Sequence, residues 1–315
     1  MQAMEIRLTR KAWLLLIGLG VLWGIPYLLI RIAVTEYHPI IMAFWRAALG
    51  AMILLPFALR RNGLASGFSK PLWLVAYTVA EISGPWFLIG YAELHVTSSL
   101  AGLIVALTPA IATVVGIVFF NERFVKQRIL GLCLGLGGVV ALLGFDDRSP
   151  QTLPVLALCL SALGYAIGPI IVARKLSDVD TTAAVVASLI VAAAIYAPFV
   201  PMHWPAGFSL NATVAVVALA IFCTAMAFQM LFALVSEIGP ARATVVTYIN
   251  PAVAALLGVV VLDEPFSAGL CLGFVLILAG SYFSTWSQTQ EMESAREPIT
   301  ENRCSSGQSN QPPSG

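Results

Sequence analysis

Cutting the chain at its polar clusters leaves ten apolar segments, each close to the roughly 20 residues that a helix needs to cross a bilayer core. They run from Trp13 to Val34, Pro39 to Leu59, Pro71 to Tyr91, Thr97 to Phe120, Ile129 to Phe145, Leu153 to Ala173, Thr182 to Pro201, Ala212 to Val235, Ala241 to Leu262 and Gly269 to Trp286. The first follows Arg7, Arg10 and Lys11 as the core of a signal peptide would. It is too long for that role, and no small-residue cleavage site follows it, so it is expected to stay in the membrane. From Gln288 onward the chain is polar and rich in Pro, Gly and Ser, which predicts a disordered cytoplasmic tail over 288–315.

Composition excludes a soluble reading. Of 315 residues, 59% are apolar and 10% charged, against roughly 45–50% and about 25% in soluble domains; the mean hydropathy is +0.89. Lys and Arg retained in the cytoplasm set the orientation. One side of the ten segments holds Arg7, Arg10, Lys11, Arg60, Arg61, Lys70, Arg123, Lys126, Arg128, Arg174, Lys175, Arg242, Arg296 and Arg303, and the other only Arg148. Arg31 and Arg46 fall inside segments. The expectation is a multi-pass protein of the cytoplasmic (inner) membrane with both termini cytoplasmic. A net charge of +1 argues against a nucleic-acid partner, and five cysteines, four of them inside apolar runs, imply no disulfide framework.

Displacing the chain by 142 positions lays one half on the other without a gap. Pro56-Phe57 falls on Pro198-Phe199, Pro109-Ala110 on Pro251-Ala252, Gly116 on Gly258, Glu122 on Glu264, Phe124 on Phe266, Gly131 on Gly273 and Gly138 on Gly280. Five segments per half is an odd number, so the second half enters the membrane from the opposite side. The predicted fold is therefore an all-α integral membrane protein of ten transmembrane helices, two inverted five-helix repeats over 1–148 and 149–287, an arrangement suited to alternating access.

Trp23-Gly24, Arg46, Thr108-Pro109, Asn121-Glu122-Arg123, Asn250-Pro251 and Asp263-Glu264-Pro265 together resemble the pattern of the EamA-type transporters of the drug/metabolite transporter superfamily. The resemblance covers residues 12 to 287. It implies a ten-helix carrier that moves small organic metabolites, often amino acids or related compounds outward, without ATP. It also implies that Glu122 and Glu264 mark the architecture and not the transport path, and that the fifth and tenth helices are scaffold.

A charge at membrane depth costs about 2.5–3.5 kcal/mol on insertion scales and is a functional candidate by default. Glu81 lies at the centre of the third segment and Arg46 about 6 Å outward of the middle of the second, by the helix rise per residue. Either Glu81 exchanges a proton or receives a cargo amine while Arg46 holds a carboxylate, or the two form an ion pair joining their helices. The repeat sets Ser188 opposite Arg46 and Cys223 opposite Glu81, confining this charge to one half. Arg31, near the outer end of its segment, can snorkel to the interface.

Pro109 and Pro251 interrupt matching segments and free the carbonyls of Val105 and Thr247. Thr108, Thr247 and Asn250 would add polar groups to a midplane site there, the alternative being packing kinks. Trp23 and its repeat mate Tyr165 fall near mid-membrane, with Tyr27 one turn beyond Trp23; Trp86, Tyr248 and Gln229 lie at moderate depth. These suggest either an aromatic-lined pocket for an organic solute or core packing. The glycines from Gly131 to Gly138 form a close-approach face, within a monomer or between the chains of a homodimer.

No lysine follows a glycine as a phosphate loop requires, so ATP is not the driver unless a partner chain supplies it. His38, His95 and His203 sit on outer loops without a ligand cluster, and no nucleophile pairs with a base at depth, so neither a metal, a cofactor nor an enzymatic activity is expected. The expected function is a secondary transporter exporting a small solute, with a proton as coupling ion and the lipid bilayer as surroundings. The alternatives are a lipid or precursor flippase and, more remotely, a channel.

Overall fold

The computed structural model describes residues 9–60, 63–120, 126–144, 152–239 and 243–283. Glu122, Arg123, Arg148 and the tail expected from Gln288 lie outside the described residues. Every regular element among those described is helical. In chain order the apolar helices are α1 (Arg10–Val34), α2 (Pro39–Arg60), α3 (Pro71–Glu93), α4 (Ser98–Phe119), α5 (Ile129–Ala141), α6 (Thr152–Lys175), α7 (Thr181–Phe199), α8 (Leu210–Ile238), α9 (Val245–Val261) and α10 (Ala268–Phe283). Seven are long and apolar enough to cross a membrane, while α5, α9 and α10 are shorter.

The helices start where the sequence supplies caps. Thr9 accepts from Ala12 N at 3.0 Å, Thr97 from Leu100 N at 3.3 Å and Asp180 from Ala183 N at 2.9 Å. Each satisfies one of the orphan N–H groups of a first turn. Outward faces carry large apolar side chains in the open, such as Leu14, Phe119, Val140 and Val260. Inward positions are mostly small, among them Ala33, Ala43, Ala47, Ala92, Ala187 and Ser188, none of them accessible. Apolar outside and small inside is the inverse of a soluble domain, and it suits a lipid solvent in which close helix packing replaces the hydrophobic drive.

The principal packing partners come from opposite halves. α2 packs on α7, α3 on α6, α4 on α9, and α1 on α8 and α9. Exchanging the halves turns α3–α6 into α8–α1 and leaves α2–α7 and α4–α9 unchanged, which is what a two-fold relation between them requires.

The ends of the bundle are distinct. At one end Lys11 pairs with Glu237 at 3.1 Å and Lys70 with Asp178, each pair tying the two halves together. Lys70 pulls the exposed Asp178 carboxyl below its ordinary value, chiefly by the hydrogen bond it donates. Such solvent-exposed pairs contribute little to stability, because water and salt screen them. At the other end, the residues after α1, before α4, before α8 and after α9 meet around a cleft of about 380 Å³. The described segments after α1, before α4, before α8 and after α9, which sequence reasoning assigns to one face, therefore converge on one end of the bundle.

Candidate functional site

Arg46 sits in α2, about one turn before its middle, with 5% of its surface accessible. Its guanidinium lies over the ring of Trp86 on α3, 3.8 Å from the centroid, and its Nε donates to the Thr224 hydroxyl on α8 at 3.1 Å. Tyr165, Cys223, Tyr196 and Tyr27 stand within Coulombic reach of its charge. Helices α1, α2, α3, α6, α7 and α8 thus each contribute a side chain to one cluster. The rest of the five-donor fork meets no acceptor among the described residues.

Arg46 does not pair with Glu81. Among the described residues the only Lys/Arg–carboxylate pairs within bonding distance are the two at the bundle end. The ion-pair reading of these two residues is therefore wrong: they share a depth, but Arg46 turns towards Trp86 and Thr224, whereas Glu81 lies against Gly168 of α6. A desolvated cation–π contact is worth about 2 kcal/mol and a hydrogen bond to a charged group about 1.5–3. Together they offset the insertion cost of Arg46 without a counter-charge.

Glu81 stands in a segment the sequence did not foretell. Thr78–Ser83 is a π-helical turn inside α3, and Ile221–Met226 is another inside α8. The repeat mate of Thr78 is Ala220, so the two segments nearly coincide when the halves are superposed. Such turns widen a helix by one residue and frequently mark functional sites. Here Pro85 contributes, because it supplies no N–H for a carbonyl one turn back. The Ala80 carbonyl lies against Gly164 and the Glu81 side chain against Gly168, where a Cβ would collide with each. Oε2 of Glu81 is enclosed without a partner, although the residue as a whole is only half-buried. The Ser83 carbonyl accepts from the Tyr196 hydroxyl of α7.

Several other predicted site residues have structural partners. Thr108 donates to the Val105 carbonyl at 2.7 Å, satisfying the acceptor that Pro109 frees. Ser281 of α10 donates to the adjacent Ala106 carbonyl at 2.7 Å. The Asn250 amide, with its nitrogen turned towards acceptors, donates to Gly20 O and Val246 O, both at 3.0 Å, and so holds α9 to α1. Tyr248 donates to Ser281 O at 3.1 Å. Thr247 lies in the 3-10 turn Thr244–Tyr248, and Pro251 is buried in the helix that follows. Trp23 packs with Leu19, Leu22 and Ile249 in a separate apolar cluster of α1, α8 and α9, away from its mate Tyr165. Gln229 has an enclosed Nε2 with no partner.

The structure therefore brings Arg46, Trp86, Tyr27 and Tyr165 together, places Glu81 within Coulombic reach of Tyr165 but in no ion pair with Arg46, and sets Trp23 and the proline-break residues elsewhere. Thr224 and Tyr196 complete the Arg46 cluster and were missed, since a Thr and a Tyr in apolar runs give no signal until an arginine is seen to face them. Glu93, the fully buried last residue of α3, was missed because the third segment was ended at Tyr91. Arg31 donates to the Glu93 carbonyl and lines the cleft at that end of the bundle. Glu264 accepts from Ser98 N at 2.6 Å and Ser99 N at 3.0 Å, closing the start of α4, the architectural role expected for it.

The model of the EamA-like transporter family matches this chain twice, over residues 10–144 and 152–286. The two matches are 142 positions apart, the displacement at which the prolines and glutamates coincide. The uncharacterized inner membrane transporter YedA of Escherichia coli (strain K12) is 27% identical over 281 residues, covering 85% of this chain and 90% of its own. The uncharacterized transporter YvbV of Bacillus subtilis (strain 168) is 24% identical over 280 residues, covering 86% and 90%. A protein of known crystal structure, 21% identical, superposes with a TM-score of 0.63 over 89% of this chain and 98% of the other, so the fold is shared. With both halves of its helical body matched, the chain belongs to the EamA-like transporter family.

Proposed function

We propose that the protein is a secondary carrier of ten membrane spans in two inverted repeats, exporting a small organic solute that bears a carboxylate. The observation that carries the reading is Arg46, a buried arginine without a carboxylate partner, stacked on Trp86 and ringed by tyrosines from several helices. A guanidinium fork binds a carboxylate through two parallel hydrogen bonds, and the donors left over after Thr224 are enough for that. Trp86, Tyr27 and Tyr165 supply walls for an apolar or aromatic remainder. Because α2 and α3 of one half meet α6, α7 and α8 of the other at this cluster, rocking of one half against the other would open it to alternate faces. Glu81 in its π-turn is the proposed coupling carboxyl, taking up and releasing a proton as the solute moves.

The test is thermal stabilisation of the purified full chain in nanodiscs by a panel of amino acids and aromatic and aliphatic monocarboxylates, each beside its decarboxylated analogue. Ligand binding raises stability with concentration. Carboxylates are expected to stabilise the wild type and not Arg46→Ala, with Arg46→Lys weakened because an ammonium cannot both stack and donate as a fork. Equal stabilisation by the decarboxylated analogues would overturn the assignment. In cells, the stabilising solute is expected in the medium only when the wild type is expressed, and Glu81→Gln is expected to fold yet lose proton-driven flux.

A further inference from the structure

Glu93 is more completely enclosed than any other described carboxyl. Its accessible surface is 0%, and neither carboxylate oxygen has a hydrogen-bond partner. An ionised carboxylate shut away from both donors and water costs far more than carrying a proton does. The uncharged acid is therefore the form that fits this enclosure.

What surrounds Glu93 supplies a route for that proton. Arg31 of α1 donates to the backbone carbonyl of Glu93 and also lines the outer cleft, beside Thr35, Glu36, Thr97, Asn211 and Glu264. It therefore stands between the buried acid and the accessible space. The charged groups facing Glu93 are Arg31 and Glu264, and Tyr27 of α1 lies within Coulombic reach of Glu93 and of Arg46. Helices α2, α4 and α6, which also pack on this part of α3, bring no further charge to it. Glu264 is itself held by Ser98 and Ser99 and is not free to serve as a partner.

We propose that Glu93 is a proton-binding site of the outer gate, whose neutral acid seals the bundle beneath the outer cleft. In the reaction the O–H bond of the carboxyl breaks, the proton passes to cleft water, and the carboxylate left behind draws the Arg31 guanidinium from the Glu93 carbonyl onto itself. That exchange loosens the contact between α1 and the end of α3 and admits solvent towards Tyr27 and the Arg46 cluster. The use of this gate in transport rests on the carrier reading, but its protonation can be read without any solute.

The experiment is infrared difference spectroscopy of the full chain in lipid nanodiscs, titrated from acid to alkaline pH. The wild type is expected to lose protonated-carboxyl intensity on titration, and Glu93→Gln to lack that component while Glu81→Gln retains it. A Glu93→Gln difference spectrum identical to wild type would overturn the proposal. In parallel, Asn211→Cys in intact cells is labelled with a membrane-impermeant maleimide, subtracting the signal of the parent chain. Labelling is expected to rise several-fold with pH beyond the rise seen when Glu93→Gln is combined with the same cysteine, and Arg31→Met is expected to abolish that excess. Equal pH dependence with and without Glu93 would overturn the gate. Glu93→Asp, which keeps a titrating carboxyl, should restore the infrared component if the glutamine variant folds poorly. If no carboxylate stabilises the protein while the Glu93 component is present, the carrier reading fails and the proton site stands.

Discussion

His38, just before α2, and His203, beyond α7, stack between the two halves, their ring centroids 3.8 Å apart and their planes 5° from parallel. Ile40 N donates to His38 Nδ1 at 3.3 Å. Partial burial, and then the neighbouring His203, lower the His38 pKa from its ordinary value. Between the folded and unfolded values the unfolded chain binds more protons, so stability rises with pH there. The contribution is complete above the unfolded value of about 6.5 and is lost as pH falls through the lower folded value. The melting temperature of the wild type is thus expected to fall as the pH drops from about 6.5 towards that lower value, and His38→Gln to flatten the fall. An unchanged slope in His38→Gln would assign the acid sensitivity elsewhere. Arg46 shows the complementary lesson at this scale. Its charge at depth was legible in the chain, but its freedom from Glu81 was not, because helical spacing gives depth and face while the direction of a side chain depends on its neighbours.

At the scale of elements, small residues decide how closely helices approach. Gly164 and Gly168, one turn apart on α6, receive the Ala80 carbonyl and the Glu81 side chain of the π-turn. Gly20 and Gly24 on α1 do the same for Ile249 and Val253 of α9, and Gly258 leaves room for the Glu264 carboxylate and the Ser99 hydroxyl. That last contact depends on Asp263, which follows α9 with a φ of 52° in the left-handed region, where Asp is among the few non-glycine residues often found. The turn aims Glu264 at the start of α4. Gly164→Ala is expected to cost about 1–3 kcal/mol, since the obstacle is backbone and cannot rotate away. Gly137→Ala meets nothing within 4 Å and should be neutral or stabilising by up to about 1 kcal/mol. Melting temperatures of the two variants in detergent check this, and equal values would show that the α3–α6 contact yields more easily than argued.

Across the whole molecule, the exchange of α3–α6 with α8–α1 places the Arg46 cluster between the halves, where a two-fold axis must pass. The side chains at that axis break the symmetry: Ser188 and Cys223 stand where Arg46 and Glu81 have their mates. The proposed inverted topology predicts on which side each connection lies. Reporter fusions after Arg60 and after Lys175 should both read cytoplasmic, and fusions after Glu93 and after His203 both external. A cytoplasmic reading after His203 would mean that the halves are parallel.

The apolar period and the 142-residue displacement were enough, in the chain alone, to give an all-helical membrane protein of two repeats, because lipid leaves a spanning segment few choices beyond a continuous helix with its backbone hydrogen bonds satisfied internally. Arg46 was also legible, as a charge placed where insertion is expensive, as were Trp86, Tyr27 and Tyr165, as aromatics at membrane depth, and Glu264, through the resemblance that marks it as architectural. Only the tertiary structure decided that Thr108 and Asn250 serve the backbone, that Glu81 faces Gly168, that Trp23 leaves its mate, and that Glu93 is sealed beneath Arg31. Those outcomes depend on which helices of opposite halves touch and on π-turns that shift the face of α3 by a fraction of a turn. Local sequence spacing does not encode either.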